Sequence, residues 1–304
     1  MPLVNLKTVL EQARREGYAV GAFNVNNMEQ VQGIMMAARK NRSPVILQAS
    51  RGALEYTNLV YLKHLMQAAV EENEDIPVVV HLDHGTEKAV DQALELGFTS
   101  VMIDGSSLPY EENVALTARV VEKAHKAGVS VEAELGTLGG IEEDVNGQVQ
   151  LTDPDQAVDF VARTGCDALA VAIGTSHGAY KFKGQPKLEL WLVTEIFQRT
   201  KLPLVLHGSS SVPAELVAEI NKYGGRLIHT QGIPVEALQA AIGNGVAKIN
   251  VDTDIRLAIT AAIRRVFAEQ PEKFDPRDYL RPAREAVAEL VGLRMRQFGS
   301  AGRI

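Results

Sequence analysis

Three histidines, His84, His177 and His207, each lie at or just beyond the end of a short apolar run. If those runs are strands whose ends meet, the three side chains can converge on one ion. Three neutral imidazoles with one open position are the usual catalytic arrangement for Zn²⁺, and imidazole also suits Co²⁺. The spacing therefore predicts a catalytic metal site, with Zn²⁺ as the expected ion and Co²⁺ as the alternative.

The remaining histidines are assigned from their positions in the pattern. His64 and His125 fall on predicted helices and are expected at the surface. His81 lies inside an apolar run and, by strand alternation, faces the same way as Asp83. It is expected in the core or behind the metal ligands, whereas His229 fits more than one environment.

Acidic residues accompany the histidines. Asp83 directly precedes His84, where a carboxylate could act as general acid or base on a hydroxyl close to the metal, or could simply orient its neighbour. Glu132 and Glu134 alternate within one apolar run and therefore share a face.

A long glycine-containing loop follows this run and carries further acids, among them Glu142. Such loops at catalytic faces are often mobile lids, although a solvated acidic loop is the alternative.

Three segments have the glycine and hydroxyl content of phosphate-binding loops: 177–178, 207–211 and 250–253. Glycine lets the backbone approach an anion, and N–H groups at helix starts stabilise it. Lys181 follows His177 by four residues. Late barrel strands often supply such sites, so the pattern favours a phosphorylated substrate.

Eight nearly continuous apolar runs alternate with amphipathic segments along the chain. The predicted strands span 19–25, 44–49, 77–82, 100–103, 129–135, 168–173, 204–206 and 246–251. The predicted helices that follow them include 28–40, 59–72, 88–96, 111–127, 154–164, 188–199, 213–222 and 255–268. Parallel strands buried on both faces have this continuous apolar character. The alternation predicts a TIM (β/α)₈ barrel, because an open doubly wound sheet would need a glycine-rich turn after its first strand.

Polar or ionisable residues follow all eight predicted strands. In a barrel of this kind, catalytic groups lie where the strands end. We therefore expect the active site at that end. The residues concerned include Asn24, Ser50, Asp83, His84, Asp104, Glu132, Glu134, His177, His207, Asn250 and Asp252.

Length and composition predict one catalytic domain over residues 1–304, with 275–304 as a C-terminal helical extension. The net charge of −7 is spread along the chain, which argues against nucleic-acid binding. The amphipathic N-terminal segment is unlike a signal peptide, and no apolar run reaches membrane-spanning length. Because Cys166 is the one cysteine, no internal disulfide can form, which fits a cytoplasmic protein.

The motifs together resemble those of the class II, metal-dependent fructose-1,6-bisphosphate aldolases over essentially the whole chain. The motifs concerned are His-Leu-Asp-His-Gly at 81–85, Glu-Ala-Glu-Leu-Gly at 132–136, Gly-Thr-Ser-His-Gly-Ala-Tyr-Lys at 174–181, Leu-His-Gly-Ser-Ser at 206–210 and Asn-Val-Asp-Thr-Asp at 250–254. The resemblance implies reversible cleavage of fructose 1,6-bisphosphate, a glycolytic and gluconeogenic reaction, to dihydroxyacetone phosphate and glyceraldehyde 3-phosphate through a metal-stabilised enediolate. The enzyme would be a carbon–carbon lyase.

The same resemblance assigns roles at the reacting atoms. His84, His177 and His207 would hold the metal, and Asp83 would exchange the proton of the hydroxyl at C4. Glu142 would be the base at the ketone-phosphate carbon, with Glu143 as the alternative.

Further roles concern the periphery of the site. Asp104 and Glu134 match a secondary metal position, and a monovalent cation (K⁺, Na⁺ or NH₄⁺) could bind carbonyls near Gly178 and Gly208. Arg277 resembles an arginine donated to an adjacent subunit, so a homo-oligomer, dimer or tetramer, is expected. The residues implied in substrate and phosphate binding are Asn24, Ser50, Gly178, Lys181, Gly208, Ser210, Asn250, Asp252, Thr253, Arg256 and Arg277.

Several alternatives remain at the level of sequence. Asp252 favours fructose over tagatose bisphosphate, because the tagatose enzymes tend to have a small residue there. A Schiff-base aldolase would use Lys248 or Lys181 as nucleophile. A metal-dependent hydrolase would activate water on the same scaffold, and a non-enzymatic barrel would leave the polar strand ends unexplained.

Overall fold

A computed structural model of the chain describes residues 2–140, 150–177 and 187–304. The predicted acids of the lid, Glu142 and Glu143, and the predicted phosphate ligands Gly178 and Lys181 lie outside these residues. None of the helices in the described ranges combines the length and apolar character needed to cross a bilayer.

Eight parallel strands close into a barrel in the order β1-β10-β9-β7-β5-β4-β3-β2, which confirms the predicted TIM barrel. The remaining two strands, β6 and β8, form a separate short pair at Gly139–Gly140 and Ser176–His177. The ten strands of the described residues are β1 Val20–Asn24, β2 Val45–Ala49, β3 Val78–Gly85, β4 Ser100–Ile103, β5 Ser130–Leu135, β6 Gly139–Gly140, β7 Ala168–Val171, β8 Ser176–His177, β9 Leu204–Leu206 and β10 Val246–Val251.

The helices surround this barrel. Those of the described residues are α1 Leu6–Glu16, α2 Met28–Asn41, α3 Arg51–Thr57, α4 Leu59–Glu71, α5 Glu87–Glu95, α6 Tyr110–Lys126, α7 Pro154–Thr164, α8 Leu190–Thr200, α9 Ala214–Lys222, α10 Val235–Gly243, α11 Thr253–Glu269 and α12 Pro276–Gln297. The amphipathic N-terminal segment forms α1, and its Leu6, Leu10 and Ala13 pack with inward-facing strand residues such as Val20 and Val79. This helix therefore completes the core at one end of the barrel.

Two strands differ at their ends from the sequence pattern, and both differences shape the site. Strand β7 ends at Val171, short of the predicted residue 173, because the N–H of Ala172 turns away to the hydroxyl of Thr152 at 2.8 Å. Strand β3 continues to Gly85 instead of ending at 82. His84 is accommodated there with a φ of 47°, an uncommon left-handed conformation for a residue with a side chain.

The C-terminal helix α12 lies within the predicted helical extension 275–304. Asp275 accepts a hydrogen bond from the N–H of Arg277, and Pro276 occupies the first helical position, where its missing N–H has no cost. The helix therefore starts at Pro276 and includes Pro282 in its interior. It packs against α2 and α11, beside the barrel.

Polar side chains interrupt the otherwise apolar interior of the barrel. Gln48, His81, Glu132 and Lys248 come from four different strands, and the side chain of each is fully buried. Buried polar groups are stable only when they are hydrogen-bonded or paired. These four residues accordingly form bonded contacts with one another or with the ends of the strands, as described next.

Candidate active site

Asp83, His84 and His207 meet where β3 and β9 end, as the strand-end argument predicted. Nε2 of His84 lies 2.9 Å from Nδ1 of His207, and Oδ1 of Asp83 lies 3.9 Å from the same His207 nitrogen. His207 and Asp83 are buried, and His84 is half-buried. Three potential metal ligands are therefore within reach of one ion.

A carboxylate lies behind each of the two imidazoles. Oδ2 of Asp104 is 2.9 Å from Nδ1 of His84, and Oε1 of Glu132 is 2.7 Å from Nε2 of His207. A carboxylate in this position takes the ring N–H and leaves the other nitrogen as a ligand. These two nitrogens lie 2.9 Å apart, close enough for both to bind one cation. The donor set thus fits a divalent metal.

The charges around His84 also favour a bound cation. Burial alone would lower the pKa of His84, but the hydrogen bond to Asp104 and the charges of Asp83, Asp104 and Glu134 raise it well above its ordinary value. Burial opposes the charged form of Asp104 too, yet the bond to His84 lowers the pKa of that carboxyl. The surroundings of His84 therefore favour positive charge, which a bound divalent ion supplies.

The backbone of His177 approaches the same end of the barrel. Gly208, directly after His207, has a φ of 60°, and a Cβ there would lie 2.6 Å from the carbonyl of Ser176. Only glycine allows two chain segments to come this close. The structure thus brings 176–177 beside 207–208, while the role of His177 as third ligand stays a prediction.

Asp83 is held by three side-chain amides. Nδ2 of Asn24 and Nε2 of Gln48 donate to its Oδ2 at 3.0 and 3.1 Å, and Nδ2 of Asn250 donates to its Oδ1 at 3.2 Å. These bonds fix the direction of the carboxylate. Asn250 also lies 3.1 Å from Nδ1 of His207, so it joins the carboxylate to the histidine pair.

A second group of ligands shares His84. Asp104 and Glu134, predicted as a secondary metal position, form a cluster with it, with Oε2 of Glu134 3.9 Å from Nδ1 of His84. Burial, followed by the charge of Asp104, raises the pKa of Glu134 well above its ordinary value. A cation here would contact the same imidazole as the first site.

Lys248 lies beneath the histidines, inside the barrel. Its Nζ is 2.8 Å from Oε2 of Glu132 and 3.5 Å from Nε2 of His81, and all three side chains are fully buried. An amine nucleophile must be reachable by substrate and uncharged. Lys248 is fully buried and held by Glu132, so substrate cannot reach it, which argues against Lys248 as a Schiff-base residue.

The sequence of this chain is similar to those of known proteins over nearly its whole length. A sequence model described as fructose-bisphosphate aldolase class-II matches residues 4–303. A fructose-bisphosphate aldolase of Giardia intestinalis is 59% identical over 99% of this chain and 94% of that protein, and one of Thermus caldophilus is 52% identical over 99% of both. The chain belongs to the class-II fructose-bisphosphate aldolase family.

The structural comparison agrees with this membership. The crystal structure of the YdjI aldolase from Escherichia coli K12 has a TM-score of 0.83 and 33% identity, and the likeness covers 99% of each chain. As a class-II aldolase, the protein is a metal-dependent carbon–carbon lyase that acts on sugar phosphates. Its reaction is the reversible aldol cleavage of fructose 1,6-bisphosphate, and the tagatose alternative is not favoured by relatives named for fructose bisphosphate.

The predicted phosphate contacts of the aldolase fall into two groups. Ser210 and Asp252 are buried neighbours, since the N–H of Asp252 donates to the Ser210 hydroxyl at 3.4 Å. Thr253 starts α11 next to them, and Arg256 pairs with Asp252 through Nε at 2.9 Å. Ser50 follows β2 as the N-cap of α3.

Arg277 is the most exposed of the predicted site residues whose burial the structure describes. Its side chain is 81% exposed and pairs with Asp275 at 2.6 Å, at the start of α12. The structure therefore does not join Arg277 to the cluster of Asp83 and the histidines. An exposed position is nevertheless what donation to a neighbouring subunit would require.

Gln48 and Glu132 were not given these contacts by the sequence analysis. Gln48 is a polar residue in an apolar strand, and this mismatch was the available signal for its contact with Asp83. Glu132 was placed on a shared face with Glu134, but only the fold shows it behind His207.

His81 is in the core, as expected. Burial and then the charge of Lys248 lower its pKa well below the ordinary value, so it is neutral.

Replacing Lys248 with methionine is expected to lower the free energy of unfolding by about 3–5 kcal/mol, because the buried Oε2 of Glu132 would lose its cationic partner. The change can be measured by urea denaturation. The matched control is Lys187→Met, since the Lys187 side chain is 84% exposed and its pair with Glu189 contributes little. Equal stability of the two variants would contradict a structural role for the buried pair.

Proposed function

We propose that His84, His177 and His207 together hold one zinc ion, with Co²⁺ as a functional substitute. The observation that carries this proposal is the pair of ring nitrogens of His84 and His207, each backed by a carboxylate and turned toward the other at 2.9 Å. When bound, the metal supplies a Lewis acid for the carbonyl oxygen of the ketose phosphate.

We propose that Asp83 exchanges the proton of the substrate hydroxyl at C4. In the cleavage direction it takes this proton as the bond between C3 and C4 breaks, and in the condensation direction it returns the proton. The support is geometric, because three amides aim its carboxylate at the histidine pair. Its burial also keeps bulk water from competing for the proton.

The second proton transfer, at the ketone-phosphate carbon, is assigned to Glu142, with Glu143 as the alternative. The phosphate on that side would be held by Gly178, Lys181, Gly208, Ser210, Asn250 and Thr253. The start of α11 supports this assignment, since N–H groups at a helix N-terminus favour an anion. Ser50 and Arg256 would hold the distal phosphate, with Asn24 and Asp252 contacting the sugar between.

A homo-oligomer, dimer or tetramer, is proposed with Arg277 completing the site of a neighbouring subunit. Phe274 supports a contact in this region because it is 90% exposed and lies three residues before Arg277.

A monovalent cation (K⁺, Na⁺ or NH₄⁺) is proposed near the carbonyls of Gly178 and Gly208. A cytoplasmic location would suit Cys166, which is buried and has a pKa raised by burial to about 12.

The decisive experiment is a cleavage assay on fructose and tagatose 1,6-bisphosphates before and after chelation. We expect activity to disappear with chelator, to return with Zn²⁺ or Co²⁺, and to be higher on the fructose substrate. Full activity after exhaustive chelation, or trapping of substrate by borohydride, would favour the Schiff-base mechanism instead. Equal or greater cleavage of tagatose bisphosphate would overturn the assignment of Asp252.

A further inference from the structure

A buried ion pair joins the C-terminal helix to the start of α11. Nε and Nη2 of Arg294, on α12, donate to Oδ2 of Asp254 at 3.1 and 2.8 Å. The Arg294 side chain is 3% exposed and that of Asp254 is fully buried. Removing two charges from water is costly, so we expect an ion pair this deeply buried to have a structural or functional role.

The same carboxylate holds the loop that follows β9. Oδ1 of Asp254 accepts the N–H of Val212 at 2.8 Å, and Oδ2 accepts the N–H of Ser211 at 3.2 Å. Asp254 therefore bonds simultaneously to the arginine of α12 and to two successive backbone groups of the loop 209–212.

This loop is strained and closely packed. Val212 has a φ of 50°, which a β-branched residue adopts only when its surroundings impose it. Behind the loop, a Cβ on Gly232 would lie 2.2 Å from the carbonyl carbon of Ser211, so the two backbones touch directly. The hydrogen bonds of Asp254 are what compensate the strain at Val212.

The charge of Asp254 also matters for an anion bound at this loop. The carboxylate of Asp254 contacts the N–H of Ser211, the residue after Ser210. It would repel a phosphate bound at Ser210, because electrostatic forces are strong in buried surroundings. Arg294 neutralises that carboxylate from the side of α12. The arginine thereby lets a negatively charged side chain hold the loop without weakening phosphate binding.

We propose that Arg294 is a positioning residue of the phosphate site. Acting through Asp254, it holds the loop 209–212 in the shape that binds the substrate phosphate and cancels the charge that would repel it. The C-terminal helix α12 thus sets the affinity for phosphate. The inference depends on the proposed assignment of Ser210 to the ketone-side phosphate.

The test compares Arg294→Met with Arg296→Met, an exposed arginine on the same helix that bonds to Asn41. We expect Arg294→Met to raise KM for fructose 1,6-bisphosphate about tenfold, the size of one lost charged hydrogen bond. Inhibition by inorganic phosphate should weaken by the same factor. The kcat and the metal content should stay near those of the parent enzyme and of Arg296→Met.

Two further variants keep the inference testable if Arg294→Met does not fold. The double variant Asp254→Asn with Arg294→Met leaves no unpaired buried charge. Its KM should be raised less than that of Arg294→Met, because the repulsion is gone while the loop is held less firmly. Arg294→Lys keeps the charge and should recover part of the phosphate affinity.

A purely structural role predicts a lower melting temperature with unchanged KM and unchanged phosphate inhibition, and that result would overturn the inference. Ser210→Ala separates this failure from failure of the proposed function. A raised KM in Ser210→Ala with a normal KM in the Arg294 variants would reject only the role of Arg294. An unchanged KM in Ser210→Ala would reject the phosphate assignment and the inference with it.

Discussion

Replacing Asp83 with alanine is expected to lower the rate of fructose 1,6-bisphosphate cleavage by about 10²–10⁴-fold, the usual contribution of a positioned general acid or base. The carboxylate is aimed by Asn24, Gln48 and Asn250 at the site where the two histidines meet. Without it, the hydroxyl at C4 has no positioned partner for its proton. The bound metal should remain, because the proposed ligands His84, His177 and His207 and the carboxylates behind His84 and His207 are untouched.

The proton exchange of dihydroxyacetone phosphate with water distinguishes this role from a general loss of activity. That exchange should survive Asp83→Ala, since it requires the base at the other carbon, and it should disappear in Glu142→Ala. The matched control is Asp91→Ala, whose side chain is exposed and pairs with Lys123. Loss of exchange in Asp83→Ala, with metal retained, would contradict the separate roles assigned to Asp83 and Glu142. Normal exchange in Glu142→Ala would move the base to Glu143.

Replacing His84 with alanine should release most of the bound metal and abolish cleavage. Loss of a residue that merely supports a ligand weakens metal binding about 10–100-fold, so loss of a ligand should weaken it by more than about 100-fold. The effect should be large here because His84 belongs to both ligand clusters, that with Asp83 and His207 and that with Asp104 and Glu134.

Competition with a chromogenic chelator gives the affinity directly, without reference to activity. Metal content per subunit after dialysis gives a second measure. His64→Ala is the matched control, since His64 is exposed on α4. A His84→Ala variant that binds a full equivalent of metal with normal affinity would remove this residue from the site.

The barrel itself could be predicted from hydrophobic pattern. Strands buried on both faces must be continuously apolar, and runs such as 44–49 and 246–251 match β2 and β10 closely. The boundaries set by tertiary contacts could not be predicted in this way. Strand β7 ends early because Thr152, distant in sequence, takes the N–H of Ala172. The short helix α3 was not anticipated from the pattern.

For the site, residue types at the strand ends predicted that His84, His177 and His207 would converge with Asp83 beside them, and the structure brings Asp83, His84 and His207 together. Parallel strands in a closed barrel all end at the same rim, so one-dimensional spacing determines a shared location. The family resemblance implied a secondary metal position at Asp104 and Glu134, and the structure places both beside His84.

The tertiary structure decided which partner each of these groups has. Glu132 could face several neighbours across the barrel, and only the closed fold places it between Lys248 and His207. Likewise, Asp254 and Arg294 are 40 residues apart, and no local pattern pairs them. Periodicity along a chain determines which face a side chain occupies, but contacts across the barrel depend on strand stagger and helix docking. The sequence therefore predicted candidate metal ligands and the rim on which they lie, and the tertiary structure determined which groups contact Asp83, His84 and His207.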